Sequence, residues 1–307
     1  MKIAVIGSGG VGGYFGARLA AAGNDVTFVA RGAHLEAMQL RGLQVFSALG
    51  DLHLKKVNCT DDTATIGTVD IVMIAVKLWS TDEAVEAAKP LVGPETAVVS
   101  FQNGIVAVDA ILPVHGKEHT MGGVANIAAL IEEPGVIRHN GNMAALFFAE
   151  LDGSRSKRAE AFYDACVAAG INTTLVDDIH TAIWAKFIRL VTMSSMTALC
   201  RMPVGPIRED PDTRALLRQV MSEVIMVAQA KGAKLENDTI EQQMAVVDGY
   251  PPAMVASMCG DLRRGNRLEL PWLAGTVSEL GKELGIPTPA NQFVYAALKL
   301  FANGRPE

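Results

Sequence analysis

The chain has 307 residues, half of them hydrophobic and a fifth charged, with a formal net charge of −6. That length can bury two cores. The acidic balance and the lack of a Lys/Arg stripe exclude nucleic acid as the main ligand, because phosphate backbones are gripped by clustered cations. Cys59, Cys166, Cys200 and Cys259 stand far apart and the histidines form no ligand pair, so neither a metal site nor a disulfide scaffold is expected. No apolar run is long enough to cross a bilayer and no leader precedes the first strand, so the chain is expected to need no membrane and to work in the cytoplasm.

The chain opens on Lys2 to Ile6, a run of β-formers, followed by Gly7-Ser8-Gly9-Gly10-Val11-Gly12 and then by the apolar spacing and alanines of a helix to Ala22. Gly7, Gly9 and Gly12 satisfy G-x-G-x-x-G, and a second strand, Asp25 to Ala30, follows at the distance of a βαβ unit. This pattern predicts a dinucleotide site. The first glycine allows the turn, the second lets backbone approach a pyrophosphate, and the third lets the helix pack on the strand, with helix amides facing the phosphates. Where an NAD site carries an acid for the ribose 2′-hydroxyl, at the end of the second strand, stands Arg31. A forked contact from Arg31 to a 2′-phosphate favours NADP(H), the alternative being a solvated loop arginine.

Next come a short helix over Leu35 to Leu40 and extended segments over Gly42 to Val57. Val69 to Val76 is a nearly continuous apolar run, the mark of a buried parallel strand, and it ends in Lys77, on the edge where open α/β sheets bind ligands. A helix over Ser80 to Ala88 and a strand over Ala97 to Phe101 follow, and Gln102-Asn103-Gly104 brings Asn103 to the same edge, near the nicotinamide end of the cofactor. Strands broken by Glu133-Pro134-Gly135 and Asn140-Gly141 fill Gly122 to Ala149, before a helix over Arg155 to Ala169.

From about Asp177 strands give way to helices: Ile179 to Leu199, Pro211 to Lys231, Asp238 to Val247, Ala253 to Arg264, Leu268 to Leu284 and Pro289 to Ala302. The class is therefore α/β, with an N-terminal Rossmann-type doubly wound domain over 1–175, an all-helical domain over 176–307, and a cleft expected between them. On the first long helix Lys186, Leu190 and Ser194 share a face at i, i+4 spacing. Lys186 stands beside Trp184, Phe187 and Ile188. If that face is inward, desolvation lowers its pKa toward the range of a general acid; if not, it is a lysine reaching along a helix edge to water.

Taken together, the glycines, Arg31, Val76-Lys77, Gln102-Asn103-Gly104, Glu133 to His139, Trp184-Ala185-Lys186, and Ser257-Met258 leading through Asp261 to Glu269 resemble the ketopantoate reductase (2-dehydropantoate 2-reductase) family along nearly the whole chain. The resemblance implies NADPH-dependent reduction of a 2-oxo acid in the pathway to pantothenate. It implies Lys186 as general acid, Asn103 at the reacting centre, and Glu269 and Ser257 holding substrate groups, with Gly7 to Gly12, Arg31 and Lys77 serving the cofactor. Family members that reduce ketopantoate carry asparagines four and eight residues after the lysine, where this chain has Leu190 and Ser194. Serine could still donate a hydrogen bond but leucine cannot bind a substrate hydroxyl, so the acid is expected to be ketopantoate or another 2-oxo acid with a more apolar tail. The rival readings are a non-catalytic NADP-binding regulatory module and a dehydrogenase acting on imino or amino acids. Apolar helices such as Ala215 to Ala228 leave room for a homodimer.

Overall fold

The computed structural model describes residues 1–305. The chain divides into two compact units, Met1–Ala182 and the segment that begins at Ile183. In the first, β1 (Lys2–Ile6), α1 (Gly10–Ala21), β2 (Asp25–Val29), α2 (Gly32–Arg41), β3 (Leu43–Phe46), β4 (Leu52–Leu54), β5 (Asn58–Thr60) and β6 (Val69–Ile74) follow one another. They lead to α3 (Thr81–Ala87), β7 (Val92–Ser100), α4 (Ala107–His115), the long hairpin β8 (Thr120–Glu133) and β9 (Val136–Glu150), α5 (Lys157–Ala168) and β10 (Asn172–Leu175).

The strands form one sheet in the order β4-β3-β9-β8-β7-β6-β1-β2-β5, with β10 also on β9. From β5 to β8 every pairing is parallel, and the chain winds outward from β1 first to β2 and then, through β6, to β7. That reversal between β1 and β6 is the point where doubly wound sheets open a crevice.

Alternation along the strands builds the core. Ile3, Val5, Ile71 and Met73 pack with Phe15 and Leu19 of α1 and Phe162 of α5 on one face, while Ala4, Ile6, Val72 and Ile74 pack with Val85 of α3 and Ile111 of α4 on the other. A strand buried on both faces has no polar side to show, which is why Val69–Ile74 reads as almost unbroken hydrophobic sequence.

The second unit consists of α6 (from Ile183; the helix as a whole is Ile179–Cys200), α7 (Val204–Glu209), α8 (Pro211–Ala230), α9 (Thr239–Asp248), α10 (Ser257–Arg264), α11 (Ala274–Leu284) and α12 (Pro289–Leu298). The buried carboxylate of Glu223 on α8 accepts from the backbone N–H groups of Ala290 and Asn291, both at 2.9 Å, so one helix caps the N-terminus of another.

Two sequence readings are corrected here. The expected helix over Leu268 to Leu284 is a three-residue 3₁₀ turn, Leu270–Trp272, followed by α11, because Pro271 cannot donate to a preceding turn and Leu273 takes non-helical angles. The helix expected from Ala253 begins only at Ser257, since Ala256 is extended. Among the described residues no helix is long and apolar enough to cross a membrane.

Candidate active site

In the first unit the sequence-predicted residues gather along the carboxyl edge of β2, β1, β6 and β7. Gly7 follows β1 with φ +96°, a left-handed angle that a side chain would strain, and a Cβ there would stand 2.7 Å from Val76 just past β6. Cβ atoms on Gly10 and Gly12 would fall onto the carbonyls of Ala129 and Gly7, so these two positions need glycine simply to fold.

Gly9 is different. It has an ordinary φ of −77°, and a Cβ built on it meets nothing nearer than Ile131 Cδ1 at 3.9 Å. The protein has no packing reason for glycine at this position. Gly9 also caps α1 without any side-chain bond, and the first turn holds no acid, so the positive end of the helix is left for an anion from outside. A cradle that a Cβ would narrow, beside uncapped amides, fits the pyrophosphate of a dinucleotide.

The rest of that loop is anchored. Ser8 is buried, and both its N–H and its Oγ donate to the carbonyl of Val29 at the end of β2, at 3.3 and 3.0 Å. Val11 lies half-buried in the first turn of α1. Arg31 caps α2 and forms an ion pair with Glu83 of α3, 2.7 Å apart on the surface, which the sequence reading did not foresee. Each partner strengthens the other's charge, raising the arginine pKa and lowering that of the carboxyl. Lys77, two residues past β6's last neighbour Ala75, lies with its ammonium 5.7 Å from the centre of the Trp79 ring. Asn103 is half-buried in the turn after β7.

Lys77 and Asn103 share a frame supplied by Gln102, to which the sequence reading gave no task. The buried Gln102 side chain donates to the carbonyl of Val76 at 3.1 Å and to Thr81 Oγ1 at 2.9 Å, and accepts from Ser100 Oγ at 3.0 Å. One amide thus ties the ends of β6 and β7 to the start of α3.

In the second unit, Lys186 and Leu190 are half-buried and Ser194 is fully buried along α6. Desolvation by burial lowers the Lys186 pKa to about 8, with the nearby cation Arg189 pushing the same way and Glu269 opposing both. Glu269 is buried just before the 3₁₀ turn, and its charge favours the protonated form of Lys186.

The approach to Glu269 is fixed by Asp261, which accepts from Arg264 and Asn266 at 2.8 and 3.1 Å, and by the bond from Leu268 N–H to the carbonyl of Ala302 at 2.9 Å. Ser257 is exposed at the first position of α10, whose start is held to α6 by a bond from Ala256 N–H to Thr197 Oγ1 at 3.3 Å. Ser194 Oγ is buried without a hydrogen-bond partner, a cost that a polar ligand atom would relieve. Among the described residues no group of three His, Cys, Asp or Glu side chains could hold a metal ion.

These two sets of groups, an amide cradle on a doubly wound sheet and a desolvated amine beside a buried carboxylate on helices, coincide with what the sequence as a whole resembles. Residues 3–153 match the ketopantoate reductase PanE/ApbA family, and residues 178–302 match its C-terminal domain. The chain belongs to the ketopantoate reductase family. It is 32% identical over 324 aligned positions to a 2-dehydropantoate 2-reductase of Mesorhizobium japonicum, covering 98% of each chain.

A solved PanE/ApbA family ketopantoate reductase from Ralstonia eutropha superposes with a TM-score of 0.89 at 30% identity over 98% of each chain. D-mandelate dehydrogenase, solved with NADH and anilino(oxo)acetate, shares the fold at a TM-score of 0.88, 23% identity and 98% of each chain. Membership in the ketopantoate reductase family makes the protein an oxidoreductase acting on CH–OH groups, of the 2-dehydropantoate 2-reductase type.

Proposed function

We propose that the protein reduces a 2-oxo acid to the 2-hydroxy acid with NADPH in the cytoplasm, with residues 1–175 serving the nucleotide and 176–307 the substrate. The acid is 2-dehydropantoate, reduced to pantoate for pantothenate synthesis, or a relative with a more apolar tail. The observation that carries this reading is the placement of Lys186 on α6 among the buried Trp184, Phe187 and Ile188, within electrostatic reach of the buried Glu269, a setting that lowers its pKa to about 8. An amine with that pKa is mostly protonated at neutral pH, yet gives up its proton more readily than an ordinary lysine.

When bound, the reduced nicotinamide supplies the hydride that adds to C2 of the acid. Lys186 holds its proton against the carbonyl oxygen, offsets the negative charge that builds there, and transfers the proton to complete the hydroxyl. Glu269 keeps the amine charged until that moment. Asn103 orients the carbonyl, Ser257 and Asn103 supply donors to the carboxylate, and Ser194 offers its unpartnered hydroxyl. Gly7, Ser8, Gly9, Gly10, Val11 and Gly12 hold the pyrophosphate, Arg31 the 2′-phosphate, and Lys77 the adjacent ribose side.

Leu190 bears on the choice of acid. An apolar side chain one turn from the amine offers nothing to a substrate hydroxyl, so a 2-oxo acid with a branched alkyl tail is expected to turn over with higher kcat/KM than 2-dehydropantoate. Following NADPH oxidation at 340 nm with both classes of acid, and with imino acids, decides the matter. No oxidation with any of them refutes catalysis, and turnover of imino acids alone replaces the proposed substrate class.

A further inference from the structure

The third residue after Arg31 is His34, which no motif in the sequence reading claimed. Its imidazole lies between two backbone groups of the first unit. Nε2 is 2.9 Å from the carbonyl oxygen of Ser8, inside the glycine loop, and Nδ1 accepts from the N–H of Gly135 at 3.1 Å, at the turn between β8 and β9. For Nδ1 to accept, the ring must carry its proton on Nε2, which then donates to Ser8. Burial, by lowering the imidazole pKa, favours that neutral form.

The consequence lies in the next peptide unit. A trans peptide is planar, with C=O and N–H pointing in opposite directions. The N–H and Oγ of Ser8 are already committed to Val29, so its carbonyl is the remaining freedom of the loop at that residue. Holding that carbonyl to one side turns the N–H of Gly9 to the other, at a residue whose Cβ position is open, with nothing nearer than Ile131 at 3.9 Å. The β8–β9 hairpin, to which His34 is tied through Gly135, is also the element whose Ala129 carbonyl closes on Gly10.

We propose that His34 is a positioning residue for the dinucleotide: it fixes the Ser8–Gly9 peptide so that the Gly9 amide is presented to the pyrophosphate. The inference rests on the reading that a dinucleotide occupies this cradle, and its test separates the two. NADP⁺ and adenosine 2′-monophosphate, which has the 2′-phosphate but no pyrophosphate, are titrated by calorimetry into the wild type, His34→Ala and His34→Gln, with urea unfolding alongside.

His34→Ala is expected to weaken NADP⁺ by roughly five- to tenfold, the loss of one well-placed hydrogen bond, while adenosine 2′-monophosphate changes less than about twofold. His34→Gln, whose amide nitrogen reaches where Nε2 lies, is expected to recover most of the NADP⁺ affinity. Equal losses for both ligands, or failure of glutamine to rescue, would reduce His34 to a purely structural role, and unchanged NADP⁺ affinity in His34→Ala overturns the inference outright. If the wild type binds NADP⁺ not at all, the cofactor reading fails and takes the inference with it.

Discussion

At the start of α1 the groups offered to a ligand are backbone amides, whereas on α6 and before α11 they are side chains: an ammonium, a carboxylate and a hydroxyl. The first kind of site is set by the path of the chain: Gly10 and Gly12 leave no room for a Cβ, and Ser8 is tied to Val29, so the loop that offers its amides is held by the fold itself. The second kind is set by what the side chains are. Leu190 and Ser194 lie within one continuous helix, α6, so what they offer a ligand depends on the side chain and not on a turn that carries it. Cofactor binding should therefore resist evolutionary change through the fold itself, while substrate choice is open to single substitutions.

The largest expected effect breaks the side-chain site alone. Lys186→Ala should lower kcat by at least about a hundredfold, the usual scale for a general acid, with NADPH affinity retained. The wild-type pH profile sharpens the point. The acid form is the working form, so kcat/KM for reduction should be level below about pH 8 and fall tenfold per pH unit above it, as the amine loses its proton. Near-normal turnover in Lys186→Ala, or a profile flat to pH 10, removes the amine from the chemistry.

A smaller effect separates ligand-driven from fold-driven glycines. Gly10→Ala should destabilise the protein by about 1 to 3 kcal/mol in urea unfolding, because its methyl group falls on a backbone carbonyl that cannot rotate away. Gly9→Ala should leave the unfolding midpoint in place, or raise it slightly, and weaken NADP⁺ by roughly tenfold. If Gly9→Ala binds NADP⁺ as well as the wild type does, the open space above it is not where the pyrophosphate lies.

What was legible in the sequence is what local rules decide. Strand, glycine turn and helix lie within twenty consecutive residues, and β6 betrays its two-sided burial by composition. The partners that complete the sites come from far along the chain. Ala129 makes Gly10 obligatory, Gly135 fixes His34, and Val76 receives Gln102, and no spacing rule links these pairs. The lysine helix shows the same division: its aromatic neighbours are adjacent in sequence, whereas Glu269, which keeps the amine charged, arrives after four intervening helices. The over-long helix expected before Leu284 failed for a reason already present in the sequence, Pro271.

The smallest effect lies at the edge of the nucleotide cradle, where a side chain enters a site otherwise made of backbone. Arg31 was read as free to pair with a 2′-phosphate, but Glu83 already occupies its guanidinium at 2.7 Å. Both groups are mostly exposed, so the pair itself is screened and readily opened by a better anion. The carboxylate stays near, however, and repels a dianionic phosphate, whereas toward an uncharged ribose hydroxyl a glutamine oxygen can accept in its place. Glu83→Gln should therefore strengthen NADPH binding by roughly two- to fivefold at low salt and leave NADH unchanged, with the gain shrinking as ionic strength rises. A loss of NADPH affinity instead would mean that Glu83 holds Arg31 in place for the phosphate, and an equal gain for NADH would move the pair away from the 2′-position altogether.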